Sequence, residues 1–219
     1  MSDEIKNRLH AEGIDIFGTA DLTGLLPVRF SDVPYAITLG VRLSAHVMNE
    51  VTGGPTHRYF QHYRAANAFL DMCALKCIVL LQREGYNACA IPASQSTSES
   101  GLEGDFPHKT AAVMAGLGFI GKSALFISKD FGPRVRLATV LTDMPLKSGK
   151  IVTPQCEGCQ KCVDACPCGA LTGDSWDAEK PREALVDAAL CSTWMKTKYQ
   201  KIGRGAVCGI CAAVCPFGA

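Results

Sequence analysis

The chain has 219 residues and a mass of 23.4 kDa, enough for one large domain or a medium domain with a small appendage. Hydrophobic residues make up 47% and charged residues 20%, which excludes general disorder; a formal charge of +1 at pH 7 lacks the basic excess of a nucleic-acid binder. No run approaches about 18 uninterrupted apolar residues, so no membrane span is expected, and Met1-Ser2-Asp3-Glu4 has neither the basic start nor the apolar core of a secretory leader.

In chain order, residues 3–13 suit a helix, and 15–20 a short strand after the break at Gly13. Residues 36–43 are β-like. Between Tyr59 and Glu84, Phe60, Tyr63, Asn67, Leu70, Ala74, Cys77 and Leu81 recur at intervals of three and four, which predicts a long amphipathic helix ended by Gly85. A strand is expected at 87–92, then a polar loop over 94–104. Residues 108–115 read as helix, 124–128 as extended, and 134–142 as a strand closed by Asp143 and Pro145. Cys73, Cys77 and Cys89 read as core packing, because free cysteine is among the most buried residue types. The segment 147–154 predicts a domain boundary, with an α/β domain over 1–148 and a cysteine-rich domain over 149–219.

Nine of the twelve cysteines fall in the last 64 residues. The chain is longer than a small disulfide scaffold and shows no leader, so regularly spaced thiols point to metal ligands kept reduced in the cytoplasm. The first run, Cys156-x2-Cys159-x2-Cys162-x3-Cys166-Pro167, has the bacterial ferredoxin spacing, in which three thiolates bind one [4Fe–4S] cube and the fourth reaches a second. The second run, Cys208-x2-Cys211-x3-Cys215-Pro216, lacks its opening cysteine, since position 205 is Gly205. Cross-ligation then gives one cluster to Cys156, Cys159, Cys162 and Cys215, and the other to Cys166, Cys191, Cys208 and Cys211. Cys191 is expected to be delivered by a helix-like stretch over 182–190. Cys168 stands too close to Cys166 to serve another corner and is left unligated. Structural zinc also uses paired cysteines, but zinc ribbons seldom place three at two-residue gaps before Cys-Pro.

Gly116-Leu-Gly-Phe-Ile-Gly121-Lys122-Ser123 fits the phosphate-loop pattern G-x4-G-K-S/T. A working phosphate loop follows a strand and opens a helix, so that the helix N-terminus faces the phosphates. The expected order here is the reverse, and no ATP binding is expected.

Ala115–Lys122, Gly132–Asp143 and the two cysteine runs with Cys191 between them resemble the epoxyqueuosine reductase-like family of double-cluster iron–sulfur proteins, in its short form. The resemblance is good over 105–216 and looser before that. It implies a cobalamin-binding, nitroreductase-like α/β domain joined to a ferredoxin-like domain carrying two [4Fe–4S] clusters. It also implies electrons passing from the clusters to a corrinoid, whose cobalt(I) form reduces the substrate. Gly116, Gly118, Gly121 and Lys122 would line the corrinoid pocket, and Asp105, two residues before Pro107, is the nearest match to the family's proton donor. His108, Tyr59 and Tyr63 are further candidates for that role.

Full-length relatives continue into helical repeats that help hold tRNA, whereas this sequence stops four residues after Cys215. A small molecule or a modified nucleoside is therefore the expected substrate rather than tRNA. An external low-potential flavodoxin or ferredoxin is the expected donor. No D-x-H-x-x-G sequence supports a protein histidine on cobalt. Two alternatives stand beside this reading: a ferredoxin-like carrier that reduces a partner's corrinoid, and a reductive dehalogenase-like enzyme.

Overall fold

The computed structural model describes residues 2–203 and 207–218. The elements are α1 (Ser2–Ala11), β1 (Ile16–Asp21), β2 (Tyr35–Arg42), α2 (Ala45–Asn49), α3 (His57–Arg83), β3 (Ala88–Ile91) and α4 (His108–Met114), followed by β4 (Gly118–Ile120), β5 (Phe126–Ser128), β6 (Val135–Thr142), α5 (Lys161–Asp164), α6 (Ala188–Tyr199) and α7 (Ile210–Ala213). They divide into two compact units, and neither is a single stretch of chain.

The first unit comprises residues 2–42, 65–117 and 136–152. Its sheet has the order β1-β2-β6-β3, with Ile16 opposite Gly40 and Ala88 opposite Thr142 in the antiparallel edge pairs. The central strands β2 and β6 are buried almost without interruption, the pattern of strands covered on both faces. α4 packs against β1 and β2, and Ala20, Leu22, Ala36, Phe106, Ala111 and Leu141 form a shared core. Ala66, Leu70, Cys73, Ala74, Cys77 and Leu81 make the buried stripe of α3, and burial pushes the Cys77 thiol up to about 12. Gly85, at φ +86, lets the chain turn back so that the Tyr86 N–H caps the Leu81 carbonyl at 3.1 Å. By length and composition α3 could cross a membrane. Asp71 and Lys76 keep it from being an unbroken apolar run.

The second unit comprises residues 43–64, 118–135, 153–203 and 207–218. This grouping differs from the expected division at 148/149: the β4–β5 hairpin and the segment around α2 lie with the cysteine-rich tail. Packing is the reason. A Cβ on Gly121 would stand 3.2 Å from Cys156 Sγ, Phe119 meets Phe217 edge-on at 5.7 Å, and Gly132 lies against the Phe217 carbonyl. The Arg134 guanidinium donates to Asn49 Oδ1 at 3.0 Å and to the Ala213 carbonyl at 3.1 Å. The helix expected over 182–190 is also displaced. Residues 182–184 form only a 3-10 turn, Val186 bridges to Leu171, and α6 begins at Ala188, where the Asp187 carboxylate accepts from the Leu190 N–H.

Candidate metal centre

All nine tail cysteines lie in the second unit, and none is in a disulfide. Cys156, Cys159, Cys162 and Cys215 line one open pocket, together with Ser123, Ile127, Lys161, Pro216 and Phe217. The first run reaches it by a tight loop, in which the Cys159 N–H donates to the Cys156 carbonyl at 2.8 Å, and by α5, which carries Cys162. Cys215 arrives from the other run just after α7, with the Phe217 N–H directed at its sulfur. The second wall is the hairpin, where a Cβ on Gly121 would stand tightly against the Cys156 sulfur.

The other four expected ligands also converge. Cys191 faces Cys208 and Cys166, and Cys211 faces Cys208, Cys191 and Cys166. Cys191 sits in the first turn of α6, held there because the Asp187 N–H donates to the Ala170 carbonyl at 2.9 Å and the Thr172 N–H to the Leu185 carbonyl at 3.2 Å. These bonds staple the start of α6 to the loop that follows Cys166. Cys211 also feels Cys162, so the two four-thiol sets are neighbours. Gly205, where a regular second run would begin, lies outside the described residues.

Burial pushes the free thiols of Cys162, Cys191, Cys208 and Cys215 up, and that of Cys211 to about 12. Cys166 differs. Burial acts on it too, yet the N–H groups of Cys168, Ala170 and Leu171 and the Cys168 thiol aim at its sulfur and bring it below the usual thiol range. Metal loading must therefore displace protons from most of these sulfurs. The donor set suits iron–sulfur cubes: all thiol, with backbone N–H groups aimed at sulfur and one set arranged around a cavity. A single zinc ion would need its thiolates gathered about 2.3 Å from one point. Among the described residues, no three His, Cys, Asp or Glu side chains converge as a single-ion site. Arg134, buried and with its Nε lacking a hydrogen-bond partner, adds positive charge near Cys215, where an anionic cluster would gain from it.

The residues expected to line a corrinoid are closely packed within the chain. A Cβ on Gly116 would meet the Lys150 backbone at 2.6 Å, one on Gly118 the Ile127 carbonyl at 2.0 Å, and one on Gly121 the Ile127 side chain at 2.9 Å; Lys122 is buried. The short residues serve the chain's own close packing. The same stretch runs from a helix into a hairpin, so no helix opens at Lys122 to face a phosphate.

Asp105 and His108, two of the expected proton donors, each have a partner in the first unit. Asp105 is ion-paired with Arg29 at 2.7 Å. The His108 ring lies 3.1 Å from the Pro92 carbonyl and 2.9 Å from the Thr139 hydroxyl. A carbonyl can only accept, so Nε2 carries the proton and Nδ1 accepts from Thr139. Burial foremost brings His108 down from 6.5 to about 4, leaving it neutral near pH 7. Its folded-state value is depressed, so its contribution to stability is complete above pH 6.5 and is lost as pH falls through about 4. The loss expected is roughly 3 kcal/mol. Urea unfolding of the first unit at pH 7 and pH 4 should show this slope in the wild type and not in His108→Gln. A His108 ring resonance titrating near pH 6.5 would contradict it.

Residues 155–218 match the family described as a 4Fe-4S double cluster binding domain, which makes the tail a double-cluster iron–sulfur domain. The chain is similar to two kinds of reductase. It is 34% identical over 116 residues to an epoxyqueuosine reductase of Bacillus cereus, covering 52% of this chain and 30% of that protein. It is 37% identical over 118 residues to a tetrachloroethene reductive dehalogenase of Sulfurospirillum multivorans, covering 48% and 22%. A third relative, a tetrachloroethene reductive dehalogenase of Desulfitobacterium hafniense, is 33% identical over 160 residues, covering 66% and 26%. The chain thus spans less than a third of the length of these relatives. Among solved structures, a catabolic reductive dehalogenase with 3-bromo-4-hydroxybenzoic acid superposes with a TM-score of 0.79 at 21% identity, covering 98% of this chain and 31% of that one. An epoxyqueuosine reductase with a modified tRNA-Tyr stem loop gives 0.65 at 16%, covering 99% and 64%. The fold is therefore the mixed α/β fold that these reductases share.

Proposed function

We propose that the chain is an iron–sulfur reductase in which Cys156, Cys159, Cys162 and Cys215 hold one [4Fe–4S] cluster and Cys166, Cys191, Cys208 and Cys211 hold a second, together feeding electrons to a corrinoid that reduces a substrate. The observation that carries the reading is the gathering of eight thiols from distant parts of the tail into two neighbouring sets of four. Two clusters store two electrons, the number needed to remove a leaving group from carbon.

The corrinoid rests on likeness. One neighbour is described as a structure that suggests a mechanism for B12-dependent dehalogenation, and the superposition covers 98% of this chain, well beyond the cluster tail. A pure carrier would need only that tail. In this reading the first unit supplies a nitroreductase-like, cobalamin-binding fold, and no side chain is assigned to the corrinoid. The substrate class is a small molecule or modified nucleoside bearing a halogen or an oxygen leaving group. The closer superposition on the dehalogenase favours the halogen arm. Asp105, ion-paired with Arg29, is the residue assigned to proton delivery, with His108, Tyr59 and Tyr63 as further candidates. The cytoplasm is taken as the compartment, with a flavodoxin or ferredoxin as donor.

Anaerobic titration with cob(II)alamin tests this reading. Its EPR spectrum should change on binding at one equivalent per chain. An unchanged spectrum beside intact iron–sulfur signals favours the ferredoxin-like carrier instead.

A further inference from the structure

The second unit holds nine tail thiols where two clusters take eight, and the ninth is close at hand. Cys168 Sγ lies 3.9 Å from Cys166 Sγ across Pro167. The Ala170 N–H is directed at both sulfurs, so they share one donor. They also share surroundings: Cys208 has Cys166 and Cys168 as electrostatic neighbours, and Cys168 also faces Cys191. Gly169 follows directly, at φ +66 and with nothing within 4 Å of the place a Cβ would take.

Two sulfurs this close cannot occupy different corners of one cube, but either could occupy the same corner. We infer that Cys168 is a reserve ligand for the iron that Cys166 holds, the two thiols being alternative occupants of a single coordination position in the second cluster. The inference rests on the double-cluster reading. In the exchange one iron–sulfur bond, to Cys166, breaks and one, to Cys168, forms. The proton leaving the Cys168 thiol passes to the freed Cys166 thiolate, and no electron is transferred. The consequence is a cluster that survives loss or chemical modification of one particular ligand and of no other.

The test compares Cys166→Ala, Cys208→Ala and the double variant Cys166→Ala/Cys168→Ala with the wild type. Each is purified anaerobically and assayed for iron, acid-labile sulfide and the EPR of the dithionite-reduced state. Cys166→Ala should keep about eight irons per chain with a perturbed signal, while Cys208→Ala and the double variant fall toward four. Cys166→Ala falling as far as the double variant overturns the inference, as does loss of a cluster in Cys168→Ala alone. A wild type with fewer than about eight irons defeats the double-cluster reading itself, and is told apart from failure of the reserve ligand because it appears before any substitution.

Discussion

Replacing Cys191 with alanine should lower the iron content from about eight per chain toward four, or leave a labile three-iron cluster. Cys191 is the one ligand in the second set supplied by neither cysteine run. It reaches its partners because Asp187 caps α6 and because the Ala170 carbonyl holds the start of that helix against the first run. No other thiol can substitute. Cys168 also faces Cys191, but it is tied to the Cys166 corner by the sulfur contact at 3.9 Å and the shared Ala170 N–H. Cys168→Ala should keep the full count. Iron analysis and EPR on the two variants decide between these ligands, and the opposite pattern would mean the ligand map is wrong.

The largest effect on folding is expected at Gly132. Its φ of +56 disfavours any side chain, and an added Cβ would fall 1.9 Å from the Phe217 carbonyl oxygen and 2.4 Å from its carbon. Backbone cannot step aside as a flexible side chain can. The segment that must move is Pro216–Phe217, which directly follows Cys215 and lines the first-set cavity. Gly132→Ala should therefore cost about 3 kcal/mol or more, from backbone strain and overpacking together. It should also purify with the first cluster depleted. Gly53→Ala, where nothing lies within 4 Å and φ is ordinary, is the control expected to change neither. Thermal unfolding and iron analysis of both variants check this, and a Gly132→Ala protein with wild-type stability would contradict the packing.

The double-cluster character of the tail is legible in the cysteine spacing, because a cube with four iron corners imposes short, fixed gaps that other folds have no reason to repeat. The α3 stripe and the β6 strand were legible for a similar reason: Leu70, Cys77 and Leu81 repeat at helical period, and Val135–Thr142 is an almost unbroken β-forming run. What the sequence hides is tertiary. Nothing local to Gly118, Gly121 or Gly132 says that Ile127, Cys156 and Phe217 lie against them. The start of α6 was misplaced because residues 182–190 are compatible with helix, whereas the Leu171–Val186 bridge and the Asp187 cap hold off the helix until Ala188. Nor does the sequence show the partners of Asp105 and His108, Arg29 for the one and Thr139 and Pro92 for the other.

The central claim, that two neighbouring sets of four thiolates each hold a [4Fe–4S] cluster, is tested most directly by quantifying iron, acid-labile sulfide and zinc in the anaerobically purified wild type, with spin counting after reduction. The predicted result is about eight irons and eight sulfides per chain, with negligible zinc and a reduced-state EPR signal broadened by interaction between two neighbouring paramagnetic clusters. Stoichiometric zinc, or about four irons giving a single non-interacting signal, would contradict it.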